Sequence, residues 1–149
     1  MRRFLFDTTI FLYALGREHP LRAPCREILR LSAARRLAGE ASVELVHEFA
    51  HVLLRRPGAD RSAVLRQARD IPRICTRVHD SGWPELEAAL ELLAHHPRLD
   101  VRDALFAATA ARHGIDAILT ADGDFDALAE LERIDPGDPE RLARLGLSA

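Results

Sequence analysis

Short apolar runs alternate along the chain with longer stretches of helical spacing, a pattern that predicts a mainly parallel sheet covered by helices on both faces. The first run, Arg3 to Asp7, reads as a buried strand, and a short helix from Phe11 to Leu15 follows it. His19-Pro20 breaks the chain before a helix from Leu21 to Leu31. Leu37 to Ala41 makes a second strand, and the Ser42 hydroxyl is placed to cap the next helix. That helix carries Val43, Val46, Ala50, Val52, Leu53 and Leu54 and stops at Arg56-Pro57-Gly58. Asp60 to Asp70 reads as a helix, Ile74 to His79 as a strand, and Pro84 to His95 as a helix with Leu86, Leu90 and Leu93 on one face. An Ala-rich helix from Asp103 to His113 ends at Gly114, and Ala117 to Thr120 and Leu131 to Ile134 complete a sheet of about five strands. Beyond the Pro136-Gly137-Asp138-Pro139 turn only a short terminal helix is expected.

Composition narrows the class. With 149 residues and 48% hydrophobic content, the chain suits one α/β domain, residues 1–149, with a core of its own. A formal net charge of -2 argues against a uniformly basic nucleic-acid binder, so phosphate contacts would have to be local or metal-mediated. All 21 basic residues are arginine, and without a lysine there is no P-loop nucleotide site. Cys25 and Cys75 lack metal-ligand spacing and read as reduced, buried thiols. An acid as early as Asp7 does not suit a signal peptide, and no apolar run of roughly 18 residues suggests a membrane span. The expectation is a cytoplasmic protein with no membrane association.

The chemistry begins where strands end. Asp7 and Asp122 each close an apolar run, so each should lie at the carboxyl edge of the sheet, where open α/β folds bind ligands. Glu48 interrupts an apolar helix, and Asp103 opens the Ala-rich one. Four carboxylates gathered at one edge repel one another, and hard divalent cations such as Mg²⁺ or Mn²⁺ relieve that repulsion. Each acid also has a plainer use. Asp7 can cap the following helix, Glu48 can lie on a solvated face, and Asp100 with Asp103 can form a cap and a first-turn acid. Asp124 and Asp126 follow Asp122 in a short acidic loop, where solvation suffices for Asp126.

Competing motifs are present, and spacing separates them. His47-Glu48-Phe49-Ala50-His51 matches the H-E-x-x-H pattern of zinc peptidases, in which two histidines one turn apart bind zinc and the glutamate acts as base. A zinc site of that type needs a third ligand and leaves the strand-end acids unexplained. The Asp122 loop is not a calcium EF-hand, which requires Gly where Ala127 stands and Glu where Arg133 stands. An aspartyl phosphatase expects a second Asp two residues after the first, where this chain has Thr9.

In order and spacing, Phe4-Leu5-Phe6-Asp7-Thr8-Thr9, the Ser42 helix with Glu48, Asp103-Ala104-Leu105 with its Ala-rich helix, and Leu119-Thr120-Ala121-Asp122 with Phe125 resemble the PIN-domain nucleases. Within them the chain is similar to the VapC-type toxins of toxin–antitoxin pairs. The resemblance implies a PIN-like three-layer α/β/α sandwich and a metal-dependent endoribonuclease. It further implies that Asp7, Glu48, Asp103 and Asp122 are the catalytic and metal-binding acids, with Asp7 and Asp103 the direct ligands of one or two Mg²⁺ or Mn²⁺ ions. Thr120 matches a hydroxyl beside the site, Thr9 keeps a hydroxyl where relatives carry Asn or Ser, and Asp124 either supports the ligands from behind or is only a solvated loop acid. RNA would be the substrate, with arginines at the cleft rim gripping phosphates. The implied partners are a small cognate antitoxin covering the cleft and a second copy of the chain. The apolar stretches Phe49 to Leu54 and Leu90 to Leu93 are candidate partner surfaces. A non-catalytic RNA-binding or scaffold domain is the alternative of a different class.

Overall fold

In the computed structural model, which describes residues 1–148, five parallel strands form one sheet in the order β3-β2-β1-β4-β5. These are β1 (Arg3–Phe6), β2 (Ala38–Ser42), β3 (Arg77–His79), β4 (Ala117–Leu119) and β5 (Glu132–Ile134). The helices are α1 (Thr8–Leu15), α2 (Arg22–Ala33), α3 (Val43–Leu54), α4 (Arg61–Ile74), α5 (Trp83–His95), α6 (Val101–Arg112) and α7 (Pro139–Arg144), with a 3₁₀ turn at Gly123–Ala127. The chain moves outward from β1 to β2 and β3, then returns to the other flank of β1 with β4. Strand order therefore reverses between β1 and β4, and the crevice outside their carboxyl ends is the usual ligand position of such sheets. Asp7 follows β1 directly and Thr120 follows β4.

Side-chain alternation along β1 assigns the helices to faces. Phe6 points to the α1–α4 side, where its ring meets Phe11 edge-on at 5.6 Å, and Phe11 in turn meets Phe49 of α3 at 6.4 Å. Close packing on this face explains Gly39 in β2. A Cβ there would stand 2.2 Å from the Phe6 ring and 2.7 Å from the Ser32 hydroxyl. Gly39→Ala is accordingly expected to cost about 1–3 kcal/mol through overpacking, read as a lower midpoint in chemical denaturation.

Arg3 and Glu40 point to the opposite face, beneath α5 and α6. Glu40, buried in β2, accepts from Arg3 Nε at 2.7 Å and Arg3 Nη2 at 2.9 Å, and also pairs with His79 Nε2. Arg3 Nη1 donates to the His113 carbonyl at 2.8 Å, and the His113 ring stacks on His79 at 4.0 Å. Burial works to raise the Glu40 carboxyl, and the Arg3 and His79 hydrogen bonds outweigh it, holding it below the usual range. This network ties β1, β2 and β3 to the end of α6.

Several boundaries differ from the sequence expectation for local reasons. α1 begins at Thr8 rather than Phe11, because the extended Asp7 backbone ends β1 and the Ile10 N–H already bonds the Asp7 carbonyl at 3.1 Å. α4 runs to Ile74, past the expected end at Asp70 and through Pro72, so β3 starts only at Arg77. Its buried stripe, Val64, Ala68, Ile71 and then Cys75, keeps helical spacing to the end. Arg35 closes that end by donating from Nη1 to the Cys75 carbonyl at 2.7 Å. Ser42 caps α3 as expected, accepting from the Leu45 N–H at 3.1 Å.

Both cysteines are free and buried, and burial pushes each thiol up to about 12. Phe49 is fully buried and belongs to the core, which removes it from the candidate partner surface, whereas Leu90 is 48% exposed. No helix of the described residues is long and apolar enough to cross a membrane.

Candidate active site

Asp7 is delivered to the switch point by β1, and its N–H bonds the Leu119 carbonyl of β4 at 3.1 Å. Its carboxylate is buried, yet it forms no cap on α1, which rules out the plainer use considered for it. Instead Oδ2 accepts from the Thr120 hydroxyl at 2.6 Å and from the Thr9 hydroxyl at 2.8 Å. Oδ1 takes no side-chain hydrogen bond among the described residues. Thr120, fully buried, also accepts from the Asp122 N–H at 3.0 Å, so one hydroxyl fixes the position of two acids. Both threonines named from sequence thus touch Asp7.

Asp103 arrives from the first turn of α6. Asp100 caps that helix, accepting from the Asp103 N–H at 2.8 Å, which leaves the Asp103 carboxylate free to face the sheet edge. Asp122 opens the 3₁₀ turn and accepts from the Asp124 N–H at 2.9 Å. The consequence is a cluster in which one carboxylate oxygen each from Asp103, Asp122 and Asp124 lies within 4.8 Å of the others. Asp124 is therefore a member of the closest group, beyond the supporting position expected of it. Asp126 departs the other way. It is bound rather than merely solvated, with Oδ1 2.8 Å from Arg133 Nε and Oδ2 3.2 Å from Arg133 Nη2.

Glu48 is placed differently from the other acids. It projects from α3 with its side chain 15% exposed, Oε2 accepting from the Thr8 hydroxyl at 2.8 Å and Oε1 from Arg102 Nη1 at 2.9 Å. Neither Thr8 nor Arg102 was singled out by sequence. The adjacency of Thr8 to Asp7 and of Arg102 to Asp103 was the available signal.

The electrostatics suit a divalent cation. Burial, followed by the charges of Asp100, Asp122 and Asp7, pushes Asp103 up to about 7, with Arg102 pulling the other way. Burial also raises Asp7, opposed by the hydrogen bonds from Thr120 and Thr9 and helped by the charge of Glu48. Among the described residues the Asp103 carboxylate has no hydrogen-bond donor, and the nearby Arg102 charge offsets its burial and its acidic neighbours only in part. Oxygen-only donors in this number fit Mg²⁺ or Mn²⁺ rather than softer metals.

The zinc-peptidase pattern finds no support. His47 is exposed, lying 3.7 Å from Glu44, and its ring is 6.3 Å from that of His51, which is exposed as well. Among the described residues no third histidine, cysteine or carboxylate joins them in a metal-ligand group. Glu48 turns instead toward Thr8 and Arg102.

Known proteins place this arrangement in context. Residues 4–131 match the PIN domain family. Ribonuclease VapC7 of Mycobacterium tuberculosis is 36% identical over 146 residues, covering 95% of this chain and 97% of the relative. Ribonuclease VapC23 of the same species is 33% identical over 120 residues, covering 78% and 90%. Among solved structures, M. tuberculosis VapC20, described as a sarcin-ricin loop cleaving toxin, superposes with a TM-score of 0.68 at 26% identity and covers 87% of this chain and 97% of its own. FitAcB of Neisseria gonorrhoeae superposes with a TM-score of 0.68 at 20% identity, covering 89% and 97%, a likeness of fold. A family match that takes in the β1–β4 switch point and Asp7, Glu48, Asp103 and Asp122, together with a 36% identical relative covering 95% of the chain, shows that the chain belongs to the PIN-domain family, among its VapC ribonucleases.

Proposed function

We propose that the protein is a metal-dependent endoribonuclease and the toxin of a toxin–antitoxin pair. The observation that carries the reading is the close group of Asp103, Asp122 and Asp124 beside the hydroxyl-held Asp7, at the strand-order reversal of a PIN fold. Asp7, Asp103 and Asp122 would hold Mg²⁺ or Mn²⁺, one or two ions, with Asp124 within reach. Bound there, the cation supplies Lewis-acid stabilisation of the phosphodiester and makes water a stronger nucleophile at neutral pH. The chain does the rest. Thr120 and Thr9 fix the Asp7 carboxylate through Oδ2, leaving Oδ1 without a side-chain hydrogen bond, and Thr120 also holds the Asp122 backbone N–H. Asp103 and Asp122 are the groups placed to orient water and take its proton. Glu48, tied at both oxygens, contributes charge at the edge of the site.

Relatives named as ribonucleases support RNA as substrate, and a solved toxin–antitoxin complex of the same fold, from Klebsiella pneumoniae, supports an antitoxin partner, which on this reading is small and covers the cleft. The mainly apolar groove lined by Leu92, Ala107, Ala111, Ile115, Leu128 and Leu131 supports contact with a second copy. The test uses a covalently closed circular RNA, which only an endonuclease can open. Wild-type protein with Mg²⁺ should linearise it, and Asp7→Asn should leave it closed. Equal opening by both proteins would remove Asp7 from the site.

A further inference from the structure

RNA must approach an anionic site, and a phosphodiester next to Asp7, Asp103, Asp122 and Asp124 meets strong repulsion unless a cation of the protein receives it. Among the described residues one arginine bonds any of the acids Asp7, Glu48, Asp103 and Asp122, and it is Arg102, through Glu48. Its place is set by the first turn of α6, one residue before Asp103. Nη1 donates to Glu48 Oε1 at 2.9 Å and Nη2 to Asp100 Oδ2 at 3.3 Å. Asp100 is itself fixed by capping α6, and Glu48 is fixed by Thr8 through its other oxygen. The guanidinium is thus held from two sides, while its side chain remains 56% exposed. An arginine has five N–H donors in a planar fork, and these two contacts leave the others for a phosphate.

An exposed ion pair contributes little to stability, so stabilisation alone does not explain an arginine held in the acid cluster. Glu48, moreover, has both oxygens occupied and is absent from the closest carboxylate group. We propose that Arg102 binds an RNA phosphate at this site and that Glu48 and Asp100 are positioning residues acting through it. The proposal rests on the ribonuclease reading and names the residue that grips the substrate.

Arg102→Ala, Arg102→Lys, Glu48→Gln and the Glu48→Gln/Arg102→Ala double variant test it through steady-state RNA cleavage at several salt concentrations and through calorimetric Mn²⁺ titration. Removing Arg102 is expected to raise KM about tenfold or more, to change kcat less, and to reduce the salt dependence of RNA binding by roughly one phosphate contact. Arg102→Lys should restore the salt dependence but only part of the KM. Glu48→Gln should share the KM defect without adding to it in the double variant, and all four variants should keep wild-type Mn²⁺ stoichiometry. An unchanged KM and salt dependence in Arg102→Ala would overturn the proposal while leaving the ribonuclease reading intact. So would loss of stoichiometric Mn²⁺ binding in Arg102→Ala or Glu48→Gln, because those residues would then belong to the metal centre. A wild-type protein that binds Mn²⁺ but cleaves no RNA would end both readings together.

Discussion

Asp103→Asn should slow RNA cleavage by about 1,000-fold or more and, in the absence of metal, make the protein more stable. The two effects have one cause. Asp103 is charged where burial and the charges of Asp100, Asp122 and Asp7 disfavour charge, and its carboxyl is pushed up to about 7. Asparagine keeps the shape, removes the repulsion and supplies a weaker metal ligand. Partial exposure screens the repulsion, so the gain is set at about 1 kcal/mol, or roughly 2–4 °C in melting temperature for a chain of this size.

The pH dependence gives the sign independently. An acid with a folded-state pKa above its unfolded value binds more protons when folded. Asp103 should therefore make metal-free stability fall as pH rises from about 4 toward about 7, with Asp7 acting in the same direction, and Asp103→Asn should flatten that slope. Mn²⁺ competes with those protons. Its stabilising effect in a thermal-shift series should be larger at about pH 8 than at about pH 6.

Glu40→Ala is the substitution with the largest expected effect on folding. It removes the shared acceptor of Arg3 and His79 from the floor under α5 and α6. His79, with its side chain 3% exposed, would be left without its partner, and water would reach only the Arg3 end, which is 36% exposed. Breaking a buried pair on one side costs about 3–5 kcal/mol, and the accessible Arg3 places this case near the lower figure. Urea unfolding should show the midpoint falling by that amount. Because Asp7 and Asp103 do not contact Glu40, Mn²⁺ stoichiometry should survive in the folded fraction.

The strands and helices were legible because burial in a parallel sheet demands apolar runs, and Phe4-Leu5-Phe6 and Ala117-Ile118-Leu119 are such runs. The strand-end acids followed from the same logic, since a strand that ends in Asp7 must present it at the carboxyl edge. What the sequence left open were contacts between elements distant in the chain. Arg102 and Glu48 are far apart in sequence, belong to helices on opposite faces, and meet only across the carboxyl edge of the folded sheet. The Arg3–Glu40–His79 network looked like ordinary polar positions because alternation along β2 does not reveal which partner lies opposite. The closeness of Asp124 to Asp122 has a local cause that spacing does not show: the 3₁₀ turn at Gly123–Ala127 brings it back, where an extended loop would carry it away.

The central claim is that the carboxylates at the β1–β4 crevice form a divalent-metal centre that cleaves RNA. Its most direct test follows RNA cleavage by purified protein while Mg²⁺ is withdrawn with EDTA and then restored in excess, for the wild type and Asp103→Asn side by side. The account predicts wild-type cleavage that stops with the chelator, returns with Mg²⁺, and is absent throughout from Asp103→Asn. Cleavage that persists in EDTA, or that proceeds equally in Asp103→Asn, would contradict it.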